Sequence, residues 1–263
     1  MPHPSAKAEQ FRALHQGCFV IANAWDAGSA RILAGLGFQA LATSSGAHAG
    51  TLGRRDGQVT REEALEHARA IVEATDLPVS ADFENCFADE PAKAAETVRL
   101  AADVGLAGCS IEDATRDKVY DFELAVERVA AAARPGRLVL TARAENFVRG
   151  RPDLQDTIKR LQAFENAGAD VLMAPGLADL ESVRKVCAAL TKPFNFMAGM
   201  KGKSFSVAEL QAAGVRRISL ATSLWRAAMS GLIDAAREVK EKGTFGYVER
   251  SAATPELIKL MRS

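Results

Sequence analysis

The sequence predicts a single-domain α/β protein of the (β/α)8 TIM-barrel class, and three observations carry that expectation. The 263 residues match the ~250 that one such barrel uses. Eight short apolar runs alternate with longer amphipathic ones, the order of strand and helix in a parallel sheet. The first apolar run leads into Ala24-Trp25-Asp26-Ala27-Gly28-Ser29, which is not the Gly-rich phosphate turn that a doubly wound open sheet would need there.

The apolar runs are Cys18 to Asn23, Phe38 to Thr43, Pro78 to Asp82, Gly108 to Asp113, Leu138 to Arg143, Asp170 to Ala174, Pro193 to Met197 and Arg216 to Leu220. They are rich in Val, Ile, Leu and Phe and lack strict polar alternation, as strands covered on both faces do. Asp26 is placed to cap a helix through Leu36. Thr60 and Glu63 have capping-box spacing ahead of a helix to about Thr75. Pro91 suits the first turn of a helix to Val104. Further helices are expected over Asp121 to Ala133, Asp153 to Ala167, Asp179 to Leu190, Ser206 to Ala213 and Thr222 to Lys242. Gly37, Gly105, Gly168 and Gly214 stand where a helix ends before the next strand. The whole chain, 1–263, reads as one barrel domain with a polar tail from about 243 that packs on a neighbouring subunit or hangs loose.

Composition narrows the partners. Lys+Arg and Asp+Glu both number 33, so the zero net charge gives no footprint for nucleic acid or an acidic membrane. No apolar run approaches the ~18 residues of a membrane span, and the opening MPHPSAKAEQF has no signal-peptide core. Cys18, Cys86, Cys109 and Cys187 form no CxxC pair, which suits a reducing cytoplasm rather than a zinc cage. A small-molecule substrate is expected.

In barrels of this class the site lies at the C-terminal strand ends. Those ends carry Asn23, Thr43-Ser44-Ser45-Gly46, Asp82-Phe83-Glu84, Glu112-Asp113, Arg143-Ala144-Glu145-Asn146, Asn195 within strand seven, and Thr222-Ser223. Asp82 and Glu84, two apart on an extended chain, point the same way. With Glu112 facing them, three carboxylates converge and need neutralising. A hard divalent cation, Mg²⁺ with Mn²⁺ as the alternative, suits that set. Arg143 either pairs with one acid or clamps a substrate carboxylate in a bidentate fork. Ser44-Ser45-Gly46-Ala47 is a short turn able to offer amides to an anion. Asp56 stands before Gly57 in a loop and Asn195 is a candidate substrate contact. His48 either touches substrate or packs its loop.

In order and in placement at successive strand ends, Ser44-Ser45-Gly46, Leu52-Gly53-Arg54-Arg55-Asp56-Gly57, Asp82-Phe83-Glu84, Ile111-Glu112-Asp113 and Thr141-Ala142-Arg143 resemble the isocitrate lyase/phosphoenolpyruvate mutase superfamily. The likeness covers nearly the whole chain. It implies a Mg²⁺-dependent enzyme that makes or breaks C–C or C–P bonds of small 2-oxo acids. It implies Asp82 as direct metal ligand, with Asp56, Glu84 and Glu112 acting mostly through waters. It implies substrate carboxylate binding by Ser45, Gly46, Ala47 and Arg143, and a homotetramer that exchanges its last helix. Two departures narrow the activity. The loop Ala114 to Tyr120 lacks the Lys-Cys-Gly-His motif of isocitrate and methylisocitrate lyases. It has Asp117-Lys118 but not the Asn-containing gate of the mutase and phosphonopyruvate hydrolase branch.

The chemistry expected is an enolate stabilised by the metal, Arg143 and the Ser45 to Ala47 amides. Oxaloacetate decarboxylation is one example, with Asp56, Glu112 and Arg143 as catalytic candidates. The Ala114 to Tyr120 loop is expected to close over the site. Rival readings are phosphonopyruvate hydrolase or mutase chemistry and a catalytically inactive 2-oxo acid binder. A Schiff-base aldolase would need a strand lysine that is absent. A phosphate site at Gly199-Met200-Lys201-Gly202-Lys203-Ser204 is a further alternative.

Overall fold

A computed structural model describes residues 5–203 and 205–262. Eight parallel strands close into one barrel in sequence order, with β8 pairing back to β1. The strands are β1 Phe19–Asn23, β2 Leu41–Ala42, β3 Val79–Ala81, β4 Gly108–Glu112, β5 Val139–Arg143, β6 Val171–Met173, β7 Phe194–Met197 and β8 Arg217–Ser219. Each lies inside an expected apolar run, trimmed where the chain leaves the ladder. The helices are α1 Ala6–Leu14, α2 Ala27–Gly35, α3 Ser45–Thr51, α4 Arg61–Ala74, α5 Pro91–Asp103, α6 Phe122–Ala133, α7 Leu154–Asn166, α8 Leu180–Ala189, α9 Val207–Ala212, α10 Ser223–Lys242 and α11 Thr254–Leu260. Asp26 with Ser29 and Thr60 with Glu63 form reciprocal capping boxes, and Pro91 opens α5. The main core fills the layer between sheet and helices. None of the described helices is long and apolar enough to cross a membrane.

Three helices have no counterpart among the expected elements. One is α3, considered with the site, and another is α11 in the tail. The third is α1, which plugs the N-terminal end of the barrel. Its Phe11 packs with Phe19, Ile21, Val139 and Val171 in a second, smaller core. Gly108 makes room for it, since a Cβ there would lie 2.8 Å from the Phe11 ring. His15, just past α1, donates from Nδ1 to the Phe11 carbonyl at 2.8 Å. Its Nε2 therefore keeps a lone pair, which receives Arg217 Nη1 at 3.4 Å.

Burial first, and Arg217 second, push His15 from 6.5 down to about 3. The folded state thus binds this proton more weakly than the unfolded chain. Stability from this source is full above the unfolded value near 6.5 and is lost as pH falls toward about 3. His15→Gln, which cannot charge, is expected to flatten the dependence. Denaturant unfolding at pH 7 and pH 5 should show about 2 kcal/mol less acid loss in the variant than in the parent. Equal acid losses would contradict this role.

The tail is packed rather than loose. Residues Gly246–Arg250 form a 3₁₀ turn, and α11 packs against α2 of the same chain. Gly35 permits the approach, because a Cβ there would sit 2.3 Å from the Leu260 carbonyl oxygen. The 20-residue α10 stands out from the barrel with no buried residue, and Leu232, Ile233 and Val239 are exposed along it.

Candidate active site

The C-terminal mouth opens into a cavity of about 580 Å³ whose walls include Asn23, Ser45, Gly46, Asp56, Asp82, Glu112 and Arg143. Strand ends on one side supply the charge. Asp82 follows β3, held by its own amide donating to Thr43 Oγ1 at 2.9 Å. Its Oδ2 accepts from the Ser45 amide at 3.3 Å and the Ser45 hydroxyl at 3.1 Å. Its Oδ1 accepts from Ser110 Oγ at 3.1 Å and Arg143 Nη1 at 3.1 Å. Arg143, the last residue of β5, also reaches Glu112 Oε1 at 3.0 Å and Glu145 Oε1 at 2.9 Å. Arg149 approaches Glu112 Oε2 at 3.5 Å. Asp56 is exposed at the rim, yet its carboxylate reaches inward beside Gly46.

The local electrostatics follow from crowding. Burial pushes the Glu112 carboxyl well above the usual range, and Arg143 only partly opposes this. Glu84 is pushed up to about 7 by burial, then by Asp82 and Asp56. Burial alone would lower Arg143, but Glu112, Glu145 and Asp82 raise it above the ordinary guanidinium value. Asp82, Glu112 and Glu145 thus crowd around the single guanidinium of Arg143, with Arg149 also at Glu112, while Lys201, Arg217 and Arg226 line other parts of the same cavity.

That local crowding of carboxylates bears on the cation expected here. Among the described residues no three His, Cys, Asp or Glu side chains form a ready metal cage. Mg²⁺ does not require one: it keeps most of its waters and takes one or two carboxylates. The all-oxygen donor set of Asp82 and the acids clustered near it fits such an ion.

Several expected residues stand differently from their sequence reading. Asp82 and Glu84 are neighbours, but not through strand alternation. The strand stops at Ala81, Phe83 turns into the core, and Glu84, Cys86 and Phe87 adopt left-handed conformations with φ of 49°, 59° and 60°. Glu84 lines a small side cavity of about 10 Å³ with Asp82, Ser45, His48 and His67. His48 stacks on His67 at 3.8 Å there and is not among the walls of the main cavity. The Ser44-Ser45-Gly46-Ala47 turn is the start of α3. Ser44 caps it, and the Ala47 amide is spent on the Ser44 hydroxyl at 3.4 Å. Ala47 is buried and off the cavity wall, which Ser44, Ser45 and Gly46 line. Asn195 lines the cavity but is fully engaged, donating to Ser219 Oγ and Met173 Sδ and accepting from Arg217 Nε.

The Ala114 to Tyr120 loop is a tight turn closed by an Ala114–Val119 bridge, with Tyr120 anchored to Asp89 and Asn85. None of its described residues lines the main cavity. Cys86 is buried, donates toward the Ser110 carbonyl at 3.6 Å and is pushed up to about 12 by burial, so it is a packing residue. Gly199, Met200 and Lys201 line the cavity, Lys203 donates to the Gly176 carbonyl at 2.6 Å, and Ser204 lies outside the described residues. Asp113 is structural, held by Arg160 at 3.1 Å and the Glu145 amide at 2.8 Å.

Sequence reasoning placed Glu145 at a strand end without giving it a role, and gave none to Arg149 or Arg217. The first was legible as an acid two residues after Arg143. The last was legible as a charge at an inward position of an apolar strand. Arg149 carried no signal, since only the 3₁₀ turn Asn146–Arg149 aims it at Glu112.

Comparison with known proteins agrees with this fold. The phosphoenolpyruvate phosphomutase family model matches residues 11–240. A crystal structure of a Burkholderia cenocepacia J2315 protein is 44% identical with a TM-score of 0.95, covering 98% of this chain and 96% of that one. The Corynebacterium glutamicum protein named probable 2-methylisocitrate lyase 1 is 30% identical over 89% of this chain and 81% of its own length. Oxaloacetate decarboxylase 2 of Pseudomonas fluorescens is 27% identical over 94% of this chain and 88% of its own.

Proposed function

The chain belongs to the phosphoenolpyruvate phosphomutase family of the isocitrate lyase/phosphoenolpyruvate mutase superfamily, and we propose that it is a Mg²⁺-dependent lyase cleaving a C–C bond of a small 2-oxo acid. The observation that carries this reading is Arg143, held among Asp82, Glu112 and Glu145 at the wall of a cavity that Ser45, Gly46 and Asp56 also face. Oxaloacetate is the reference substrate, because a relative bears the name oxaloacetate decarboxylase.

When bound, the divalent cation supplies Lewis-acid polarisation of the 2-oxo group. Asp82 would hold it, with Glu84 and Glu112 close by to support it. Arg143 binds the substrate carboxylate and adds fixed positive charge where the enolate forms. Ser45 and the Gly46 amide orient the same carboxylate. The Ser45 hydroxyl already donates to Asp82, so substrate and ligand positions are linked through one side chain. Asp56, at the rim beside Gly46, handles the proton that the enolate carbon takes up. Mn²⁺ substitutes for Mg²⁺ at an oxygen site of this kind.

C–P cleavage of a phosphonate-bearing 2-oxo acid is the second reading. Lys201, Arg226 and Arg149 on the cavity wall favour it, as cations suited to a more highly charged group. A panel of 2-oxo acids and phosphonopyruvate, assayed with Mg²⁺ and with EDTA, separates the two. Chelation is expected to reduce turnover at least about a hundredfold, with Mg²⁺ or Mn²⁺ restoring it. Turnover that ignores EDTA would remove the metal. The exposed Leu232, Ile233 and Val239 of α10 suit contacts between copies of the chain, and light scattering should report a tetramer.

A further inference from the structure

Arg217 takes no part in the chemistry above, yet its position is energetically expensive. It lies on β8, is 5% exposed, and makes no ion pair with any carboxylate among the described residues. Its partners are all neutral. Nε donates to Asn195 Oδ1 at 2.9 Å, Nη2 to Thr141 Oγ1 at 2.8 Å and Nη1 to His15 Nε2 at 3.4 Å. The Phe11 ring lies 5.7 Å from the guanidinium carbon. A cation taken out of water without a counter-charge costs several kcal/mol, and bonds to neutral groups repay only part of that.

The surroundings hold this charge in place rather than cancel it. His15 is kept neutral with its lone pair toward Arg217. Asn195 is oriented from behind by donating to Ser219 and Met173. These bonds use three of the five N–H groups of the guanidinium and leave one on each terminal nitrogen. Two spare N–H groups are enough in number to bind a carboxylate. Arg217 also forms part of the wall of the 580 Å³ cavity, with the neutral Asn23, Ser80 and Ser219 lining the same space. Arg143 lines it too, and burial together with the Arg143 charge depresses the Arg217 guanidinium. An anion in the cavity would relieve both effects.

We propose that Arg217 anchors a second anion subsite in the barrel interior, which binds the carboxylate at the far end of the substrate. The inference rests on the 2-oxo acid reading of the cavity and narrows it to diacids. Arg143 would take the carboxylate beside the oxo group and Arg217 the other, so that chain length between the two becomes a selected property.

Calorimetric titration of the Mg²⁺-loaded protein tests this with 2-oxo monoacids (pyruvate, 2-oxovalerate) and the diacid 2-oxoglutarate. The diacid is expected to bind about ten- to a hundredfold tighter than the monoacid of equal length. Arg217→Met should abolish that advantage and leave pyruvate affinity within about twofold, while Arg217→Lys keeps part of it. Arg217→Gln serves where the methionine variant does not fold. Equal weakening of monoacid and diacid would make Arg217 a structural residue and overturn the subsite. So would a diacid advantage that survives the substitution. If added phosphate or bicarbonate tightens pyruvate binding instead, the subsite takes a separate ion and the far-carboxylate assignment fails. Absence of any 2-oxo acid binding by the parent protein would overturn the proposed function and the subsite together, whereas monoacid binding alone removes only the subsite.

Discussion

Arg143→Leu is expected to lose both turnover and folding stability. Arg143 is almost wholly buried and is the cation nearest to Asp82, Glu112 and Glu145, at 3.1, 3.0 and 2.9 Å. Removing one partner of a buried ion cluster leaves the others uncompensated, at a cost of about 3–5 kcal/mol. The fork that would bind substrate carboxylate disappears with it, and turnover should fall by about 10³ or more. The stability loss should depend on pH in a stated direction. Burial already raises Glu112, and without Arg143 its folded value would rise further above the unfolded one. A carboxyl raised in the folded state destabilises as pH rises through the interval between the two values. The deficit of the variant should therefore be smaller at pH 5 than at pH 8, read by denaturant unfolding. Arg143→Lys should recover part of the stability but little turnover, because one ammonium cannot span three acids and a substrate. A variant with unchanged unfolding midpoint would show that the acids do not need Arg143.

Asp82→Asn should separate the two losses. The amide keeps the shape but has one oxygen for two donor sets, Ser45 on one side and Ser110 with Arg143 on the other, so folding stability should fall by about 1 kcal/mol, far less than in Arg143→Leu, as eased carboxylate crowding offsets part of the lost bonding. Metal affinity should fall about 10–100-fold or more and turnover about 10³-fold, because a neutral amide is a poor ligand for a hard cation. Cys86→Ala is the internal control. Its thiol is buried against the Ser110 carbonyl, so turnover should hold while some stability is lost to the smaller side chain. Turnover of Asp82→Asn within about threefold of the parent would remove Asp82 from the metal site.

The contrast between these variants reflects how the barrel was legible in the sequence. Strands announce themselves through burial on both faces, and all eight are found inside the apolar runs. Caps are local chemistry, so Asp26, Thr60 and Pro91 were readable as well. Charged residues at strand ends are also predictable, and Asp82, Glu112 and Arg143 do meet. What resisted was geometry fixed by tertiary contact. The α1 plug depends on Phe11 finding Gly108 and Val139 across the barrel floor, which no local pattern encodes. The turn at Glu84 depends on left-handed residues that are not glycine, where strand alternation misleads. Ser44 to Ala47 is too short a stretch to distinguish a phosphate-type turn from a capped helix start. The tail found α2 through a glycine, Gly35, whose spacing within that helix says nothing about what approaches it.

Arg217 marks the same boundary from the other side. A charge in an apolar strand is visible in the sequence, but its meaning rests on its neighbours. Only the structure brings Asn195, Thr141 and His15 around it with no acid among them.

The decisive measurement is anomalous diffraction from crystals soaked with Mn²⁺ and oxalate, a stable mimic of the pyruvate enolate. The expected result is a manganese peak at bonding distance from Asp82, with oxalate beside Ser45 and Gly46 and the Arg143 guanidinium turned onto the oxalate. Crystals that show no peak at Asp82, with Arg143 still bridging Asp82 and Glu112, would contradict the metal-assisted lyase reading and leave the acids as a structural ion cluster.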